Sequence, residues 1–273
     1  MDSAVQAGGE SEIADVMNEF FGKMSAEQTA KECRLTILSA LLPQDCLLCG
    51  EACGDLLCPA CRQELPIAEE RTCPVCAERS PADGPCGSCL KAPPHFEATF
   101  AACLYAFPID KLVQALKYSH RLPVAELLAR LMLGGPRPTG DVIVPVPLSL
   151  PRLRQRGFNQ AVEIARPLAR ELGLPLVTQR CRRRDAVAQA TLPWHVRRQN
   201  VRHAFECTFD LGGRSVIVVD DVMTTGATLD EFARTLKIHG ATRVTNWVAA
   251  RTMRDHLPLG GRRPDDSGYA YRR

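Results

Sequence analysis

At 273 residues the chain has room for one domain with additions, or for two. The formal net charge is only +3, but residues 1–99 carry 7 Lys/Arg against 16 Asp/Glu, whereas residues 152–202 carry 12 Arg against Glu163, Glu171 and Asp185. The basic block either faces an anionic partner or balances the acidic half. The polar start MDSAVQAGGESE lacks a basic stretch followed by an apolar core, and the apolar run 35–42 is too short to span a bilayer, so neither secretion nor a membrane span is expected. A reducing cytoplasm is the expected location, where CxxC pairs read as metal ligands rather than disulfides.

Residues 1–35 read as a polar, partly helical leader, because Ile13, Val16, Met17, Phe20, Phe21 and Met24 recur at helical spacing. Such a stripe more often packs on its own protein than on a partner. Residues 36–42 predict a short helix ending at Pro43. Four CxxC pairs follow: Cys46/Cys49, Cys58/Cys61, Cys73/Cys76 and Cys86/Cys89. One pair supplies two thiolates, and two pairs complete a tetrahedral four-thiolate site. Residues 36–95 are therefore expected to form a double zinc ribbon. Its Zn2+ is structural, since four thiolates per ion leave no open position, and it lets a segment so poor in apolar residues fold. The spacing permits sequential or cross-braced pairing. Cys33, Cys53, Cys103, Cys181 and Cys207 stand singly, Cys53 as a bystander among the knuckles and the others as fillers of core gaps.

From 96 to 252 strand-like and helix-like segments alternate. Strands are predicted over 99–105, 141–144 and 174–177, and helices over 109–116, 124–133 and 158–172. The alternation predicts an α/β fold with a mostly parallel sheet and right-handed crossovers. The strand 141–144 runs into Pro145-Val146-Pro147, then Arg152, Arg154 and Arg156. Those arginines either pair bidentately with a diphosphate or form a solvated basic face. The irregular, basic block 180–205 reads as a lid or binding loop, or as a single-stranded nucleic-acid surface with Trp194 as a stacking platform. His195 and His203 are candidate general bases, although a solvated or structural histidine is the commoner case.

Residues 216–229, VIVVDDVMTTGATL, carry the densest chemistry. Val216, Ile217, Val218 and Val219 predict a parallel strand buried on both faces. Asp220 and Asp221 stand at its carboxyl end, where open α/β sheets place ligands. Thr224, Thr225, Gly226, Ala227 and Thr228 turn into a helix whose unpaired N–H groups and positive dipole suit a phosphate. Adjacent carboxylates beside a phosphate make sense if they accept from sugar hydroxyls, with a metal ion bridging to a diphosphate. The order is not a dinucleotide-binding fingerprint, which lacks paired acids, nor a P-loop, since no Gly-Lys-Ser/Thr follows. A helix over 228–239 stops at Gly240, a last strand covers 243–250, and the tail 253–273 is expected to be disordered.

The run 216–228 resembles the phosphoribosyl-pyrophosphate (PRPP) signature of type I phosphoribosyltransferases. Together with the Cys-rich ribbon, the strand ending VPVP, RGFNQ at 156–160 and the spaced Gln189, Arg197, Asn200, Ala204 and Phe205, it makes the chain resemble the ComF family over roughly residues 35–252. The resemblance implies a type I phosphoribosyltransferase fold behind a double zinc ribbon. It implies PRPP bound with Mg2+: Asp220 and Asp221 on the ribose hydroxyls, Thr224, Thr225, Gly226, Ala227 and Thr228 on the 5′-phosphate, Arg152 and Arg156 on the departing diphosphate. It implies a link to natural competence and DNA uptake, other DNA-processing proteins as partners, and a homodimer. The alternative is a non-catalytic protein that handles single-stranded DNA and retains the PRPP-binding fold. The 6-oxopurine salvage enzymes that resemble this signature carry Asp where this chain has Thr224. A hydroxyl cannot take over that proton-handling role, which makes hypoxanthine and guanine unsuitable acceptors.

Overall fold

Four parallel strands form the central sheet: β3 (Ala98–Leu104), β4 (Val142–Pro145), β7 (Ser215–Met223) and β8 (Arg243–Arg251), in the order β3-β8-β7-β4. This structure, a computed structural model, describes residues 44–68, 71–80, 84–184 and 203–253. The expected leader helix, the helix over 36–42, the tail beyond 253, and Gln189, Trp194, His195, Arg197 and Asn200 lie outside the described residues.

The β-branched run of β7 is buried on both faces. Val216 and Val218 join one core with Val244, Val248, Phe232 and Leu236. Ile217 and Val219 join the other with Leu116, Leu128, Ile164 and Trp247. Helices α3 (Ile109–Ser119), α4 (Pro123–Gly134) and α6 (Gln160–Leu172) supply the second core, and α7 (Ala227–Ile238) covers the opposite face. The helices follow their sequence punctuation. In α3, Ile109, Leu112, Val113 and Leu116 are buried at helical spacing, and left-handed His120 ends it. In α6, the Asn159 side chain accepts from the Ala161 N–H and left-handed Gly173 closes the far end. No helix among the described residues is long and apolar enough to cross a membrane.

The structure departs from the sequence expectations in four places. The expected exit loop after β4 contains a further helix, α5 (Leu150–Arg156), with Pro151 in its first turn and left-handed Gly157 after its last. The acids are not beyond the strand: β7 runs through Asp220 and Asp221 to Met223, because β8 keeps pairing with it as far as Arg251. The 174–177 segment makes only one bridge to the sheet, Leu176 to Ile143. Lastly, Cys181 and Cys207 are not solitary core fillers. They lie opposite one another on the antiparallel pair β5 (Cys181–Arg183) and β6 (Phe205–Cys207) and are joined by a disulfide. Facing positions on adjacent strands bring together side chains 26 residues apart.

The Cys-rich segment is not an appendage. Its first half, with β1 (Gln44–Asp45), β2 (Ala52–Cys53) and α1 (Pro59–Gln63), buries Cys46, Leu57 and Leu65 in the α3/α4/α6 core. Its second half, with α2 (Gly87–Lys91), buries Cys73, Cys76, Cys89 and Phe96 in the α7 core. Between them the chain runs antiparallel along β3: the Leu104 N–H donates to the Pro66 carbonyl, and the Ala68 N–H to the Ala102 carbonyl. The ribbon straddles the sheet's edge. Zinc is therefore joined by shared apolar burial, about 1.5–3 kcal/mol for each large side chain fully buried, in holding this segment.

Candidate functional site

Strand β4 stops at Pro145, and the Val146 N–H donates to the Val219 carbonyl at 2.9 Å. Past Val219, β7 continues paired with β8 alone, so its β4 side opens. A cavity of about 380 Å³ occupies that opening, lined by Asp220, Asp221, Arg152, Arg156, Gln160, Thr228, Lys117 and the Val146–Leu148 turn. Arg183 of β5 closes one side, carried there by a bridge between Arg183 and Ser149.

Two charges dominate the floor. Asp221 is 3% exposed, and its Oδ2 lies 2.6 Å from the Lys117 ammonium at the end of α3. Burial alone would raise the Asp221 carboxyl, but the Lys117 charge and hydrogen bond outweigh it and hold the group below its ordinary value. Burial likewise works against the Lys117 ammonium, and the Asp221 carboxylate overcomes it, so the lysine sits above its ordinary value. Asp220 behaves oppositely. Burial pushes its carboxyl well above the ordinary 3.8, and the adjacent Asp221 charge adds to the rise. A polar chain continues outward: Gln160 donates to Asp221 Oδ1 at 3.4 Å, and Arg156 donates to Gln160 Oε1 at 3.1 Å. The Arg156 guanidinium lies 5.3 Å from the Tyr118 ring centroid.

The turn into α7 is built on Gly226, whose φ of 82° is left-handed and where a Cβ would press on Met223 Cε at 2.6 Å. Thr224 and Thr225 are exposed on this turn, and Thr225 Oγ1 accepts from the Ala227 N–H at 3.4 Å. Gly226 supplies no side-chain cap to α7, the Ala227 N–H makes only the long contact to Thr225, and Thr228 in the first turn lines the cavity, an arrangement suited to an anion. The opposite side of the turn is fixed from below. Buried Arg251 donates to the Met223 carbonyl at 3.2 Å and to the Thr224 carbonyl.

Of the residues singled out in the sequence, the structure thus gathers Asp220, Asp221, Thr228, Arg152 and Arg156 around one cavity, with Thr224, Thr225, Gly226 and Ala227 on the adjoining turn. His203 is elsewhere: its N–H donates to Glu231 Oε1 at 2.6 Å and its ring faces Arg234, a structural setting on α7. Lys117 and Arg251 are the residues that motif reading passed over. Lys117 does carry a signal, since it lies four residues after Val113 on the buried stripe of α3, where a charge demands a partner.

The cysteines fall into two sets, Cys46, Cys49, Cys58 and Cys61, and Cys73, Cys76, Cys86 and Cys89, each with all four sulfurs within 4.8 Å of one another. Pairing is therefore sequential, not cross-braced. A tetrahedral Zn2+ with Zn–S near 2.3 Å sets sulfurs about 3.8 Å apart. Cys49 Sγ and Cys58 Sγ are 3.8 Å apart, and Cys76 Sγ and Cys86 Sγ 3.7 Å. The acidities fit as well. Burial pushes Cys46 up, but the N–H groups of Cys49, Cys58 and Leu48 outweigh it and bring it to about 6, whereas the neighbouring Cys58 sulfur and burial push Cys61 up to about 12. In the second set, hydrogen bonds overcome burial and lower Cys86 to about 7, while burial holds Cys76 at about 11. Cys46 and Cys86 are thus lowered while Cys61 and Cys76 are raised, and a divalent cation would favour the thiolate form of all four sulfurs in each set. Cys53 stands outside both sets and donates to the Asp55 carbonyl.

The phosphoribosyl transferase domain family matches residues 159–259, and the double zinc ribbon domain family matches residues 37–90. The chain is 34% identical over 221 residues to the DNA utilization protein YhgH of Escherichia coli K12, covering 72% of this chain and 97% of that one. It is 31% identical over 220 residues to Competence protein F of Haemophilus influenzae, covering 71% and 96%. Over 117 residues it is 34% identical to Competence protein ComFC of Bacillus subtilis, covering 41% and 45%.

Proposed function

Because the chain belongs to the ComF family, with a type I phosphoribosyltransferase fold behind a double zinc ribbon, we propose that it binds PRPP with Mg2+ in the β4/β7 cavity and serves DNA utilization in the cytoplasm. The observation that carries the reading is the convergence of one acid pair, two arginines and an open helix start on a single cavity. The 5′-phosphate takes the N–H groups and hydroxyls of Thr224, Thr225, Gly226, Ala227 and Thr228. Asp220 and Asp221 accept from the ribose hydroxyls. Lys117 keeps Asp221 ionised for that task, and Gln160 fixes the orientation of its carboxylate. Arg152 and Arg156 face the diphosphate and stabilise its charge as it leaves the anomeric carbon. Mg2+, when bound, would be held by Asp220 and Asp221 and would supply further neutralisation of the diphosphate charge.

Calorimetric titration of the zinc-loaded protein with PRPP, with and without Mg2+, tests the reading. Magnesium-dependent binding that disappears in an Asp220→Ala, Asp221→Ala variant with unchanged zinc content is expected. Wild-type protein that ignores PRPP under both conditions overturns it. The competing reading, a protein that handles single-stranded DNA through its basic block, draws less support from the described residues. Arg182 and Arg184 share the single carboxylate of Glu206, which offsets part of their charge while both stay largely exposed.

A further inference from the structure

Arg251, the last residue of β8, joins two parts of the molecule that sequence keeps far apart. It is 3% exposed, and its ion-pair partner Glu78 is also buried. Its Nε donates to the Cys76 carbonyl at 2.9 Å, and its Nη2 meets Glu78 Oε2 at 3.2 Å. Its Nη1 donates to the carbonyls of Met223, Thr224 and Thr252. One guanidinium thus holds a carbonyl of the second thiolate set on one side and the start of the Thr224 turn on the other. A planar fork with several fixed donors can do this, whereas an ammonium on a flexible stem cannot.

The second knuckle is shaped for the contact. After Cys49 the chain turns left-handed at Gly50, with a φ of 76°; after Cys76 it does so at Ala77, with a φ of 54°. A side chain in that region costs about 1–2 kcal/mol, so the turn is held by its surroundings. Those surroundings are the Ala77 N–H to Cys73 carbonyl bond and the Arg251 grip on Cys76. The chain leaving this half of the ribbon also touches the start of α7: the His95 N–H donates to Asp230 Oδ1 at 2.7 Å, and Phe96 packs beneath Gly226.

We infer that Arg251 is a positioning residue through which metal occupancy at Cys73, Cys76, Cys86 and Cys89 sets the order of the Thr224–Thr228 turn. Metal at this set locks the knuckle, the knuckle locks Arg251, and Arg251 fixes the carbonyls on the underside of the turn so that its N–H groups face the cavity. The consequence for PRPP rests on the function proposed above; the mechanical link does not.

The test is amide hydrogen exchange across 223–230, read by mass spectrometry on full-length, zinc-loaded protein, alongside zinc content and PRPP affinity. Cys89→Ser is expected to lose one zinc and speed exchange of the turn at least about tenfold. Arg251→Lys is expected to speed it similarly while keeping both metals. The double variant is expected to be no faster than the faster single, because both changes cut one connection. Cys49→Ser, in the first set, is expected to lose one zinc and leave the turn unchanged. Glu78→Gln provides a second approach if Cys89→Ser fails to fold, with intermediate loosening expected. A turn whose exchange ignores zinc loss in a folded Cys89→Ser variant, or ignores both Arg251→Lys and Glu78→Gln, overturns the link, as does a double variant showing the product of the two single effects. Exchange that follows this pattern in a protein that ignores PRPP sinks the ligand and leaves the link standing; PRPP binding with an insensitive turn does the reverse.

Discussion

Lys117 Nζ and Asp221 Oδ2 are 2.6 Å apart, at 19% and 5% side-chain exposure. The pair fastens the end of α3 to the middle of the β7 acid motif, and each group shifts the other toward its charged form. Removing one partner strands a buried charge, which costs more than the pair itself contributes. Lys117→Met is therefore expected to destabilise the protein by about 3 kcal/mol, read as a lower urea midpoint. Adding Asp221→Asn should recover most of that loss, and a double variant no more stable than Lys117→Met would show that the packing of the lysine stem is what matters.

The acid pair also sets a pH dependence. Asp221, lowered by Lys117, contributes stability that is present above its unfolded value and lost as pH falls through its folded value. Asp220 has the opposite sign: raised by burial and by Asp221, it favours the folded state when protonated, and it resists ionisation until pH exceeds a value well above 3.8. Cation-dependent PRPP affinity should thus rise with pH through the Asp220 transition. Calorimetry over a pH series rising from 3.8 checks this, and Asp220→Asn should flatten the curve at its low-affinity end.

Gly226→Ala puts a side chain where φ is 82° and Met223 Cε is 2.6 Å away. The methionine end is flexible and gives way, leaving the left-handed backbone as the main cost, about 1–2 kcal/mol. Thermal unfolding should fall by a few degrees, roughly 2–4 °C per kcal/mol for a chain of this class, while PRPP affinity falls about tenfold or more because the turn is displaced. An unaltered affinity would detach this turn from phosphate binding.

Native mass spectrometry should find two zinc ions per chain, one for each sulfur set. Cys49→Ser and Cys86→Ser are each expected to lose one ion and keep the other, since the sets share no ligand. Loss of both ions from either variant would indicate that the two sites fold as one unit.

The parts legible in the sequence were those with a short-range signature. Four CxxC pairs give the knuckles, the run of valines gives a doubly buried strand, and the acid pair followed by the Thr/Gly turn gives the cavity floor. What stayed hidden depends on pairing across long separations. The acids lie inside β7 because β8 accompanies them, which local pattern does not report. Cys181 and Cys207 looked solitary because their strands are two short segments flanking a long insertion. Arg251 follows the expected last strand and carries no local motif; its five acceptors come from three stretches of chain, 76–78, 223–224 and 252, the farthest 175 residues away. The α5 helix carries a local signature as well, since Pro151 at its start and Gly157 past its end are the usual punctuation.

The strip of chain from Pro66 to Ala68 along β3 has a consequence for solubility. Without it, the outer side of β3 would present a row of free N–H and C=O groups, a template on which another molecule's strand can add. The ribbon thus acts as a selvedge for the sheet. Chain stripped of zinc would be expected to fray at that border first, and its characteristic failure would be strand-to-strand association between molecules rather than simple loss of a ligand.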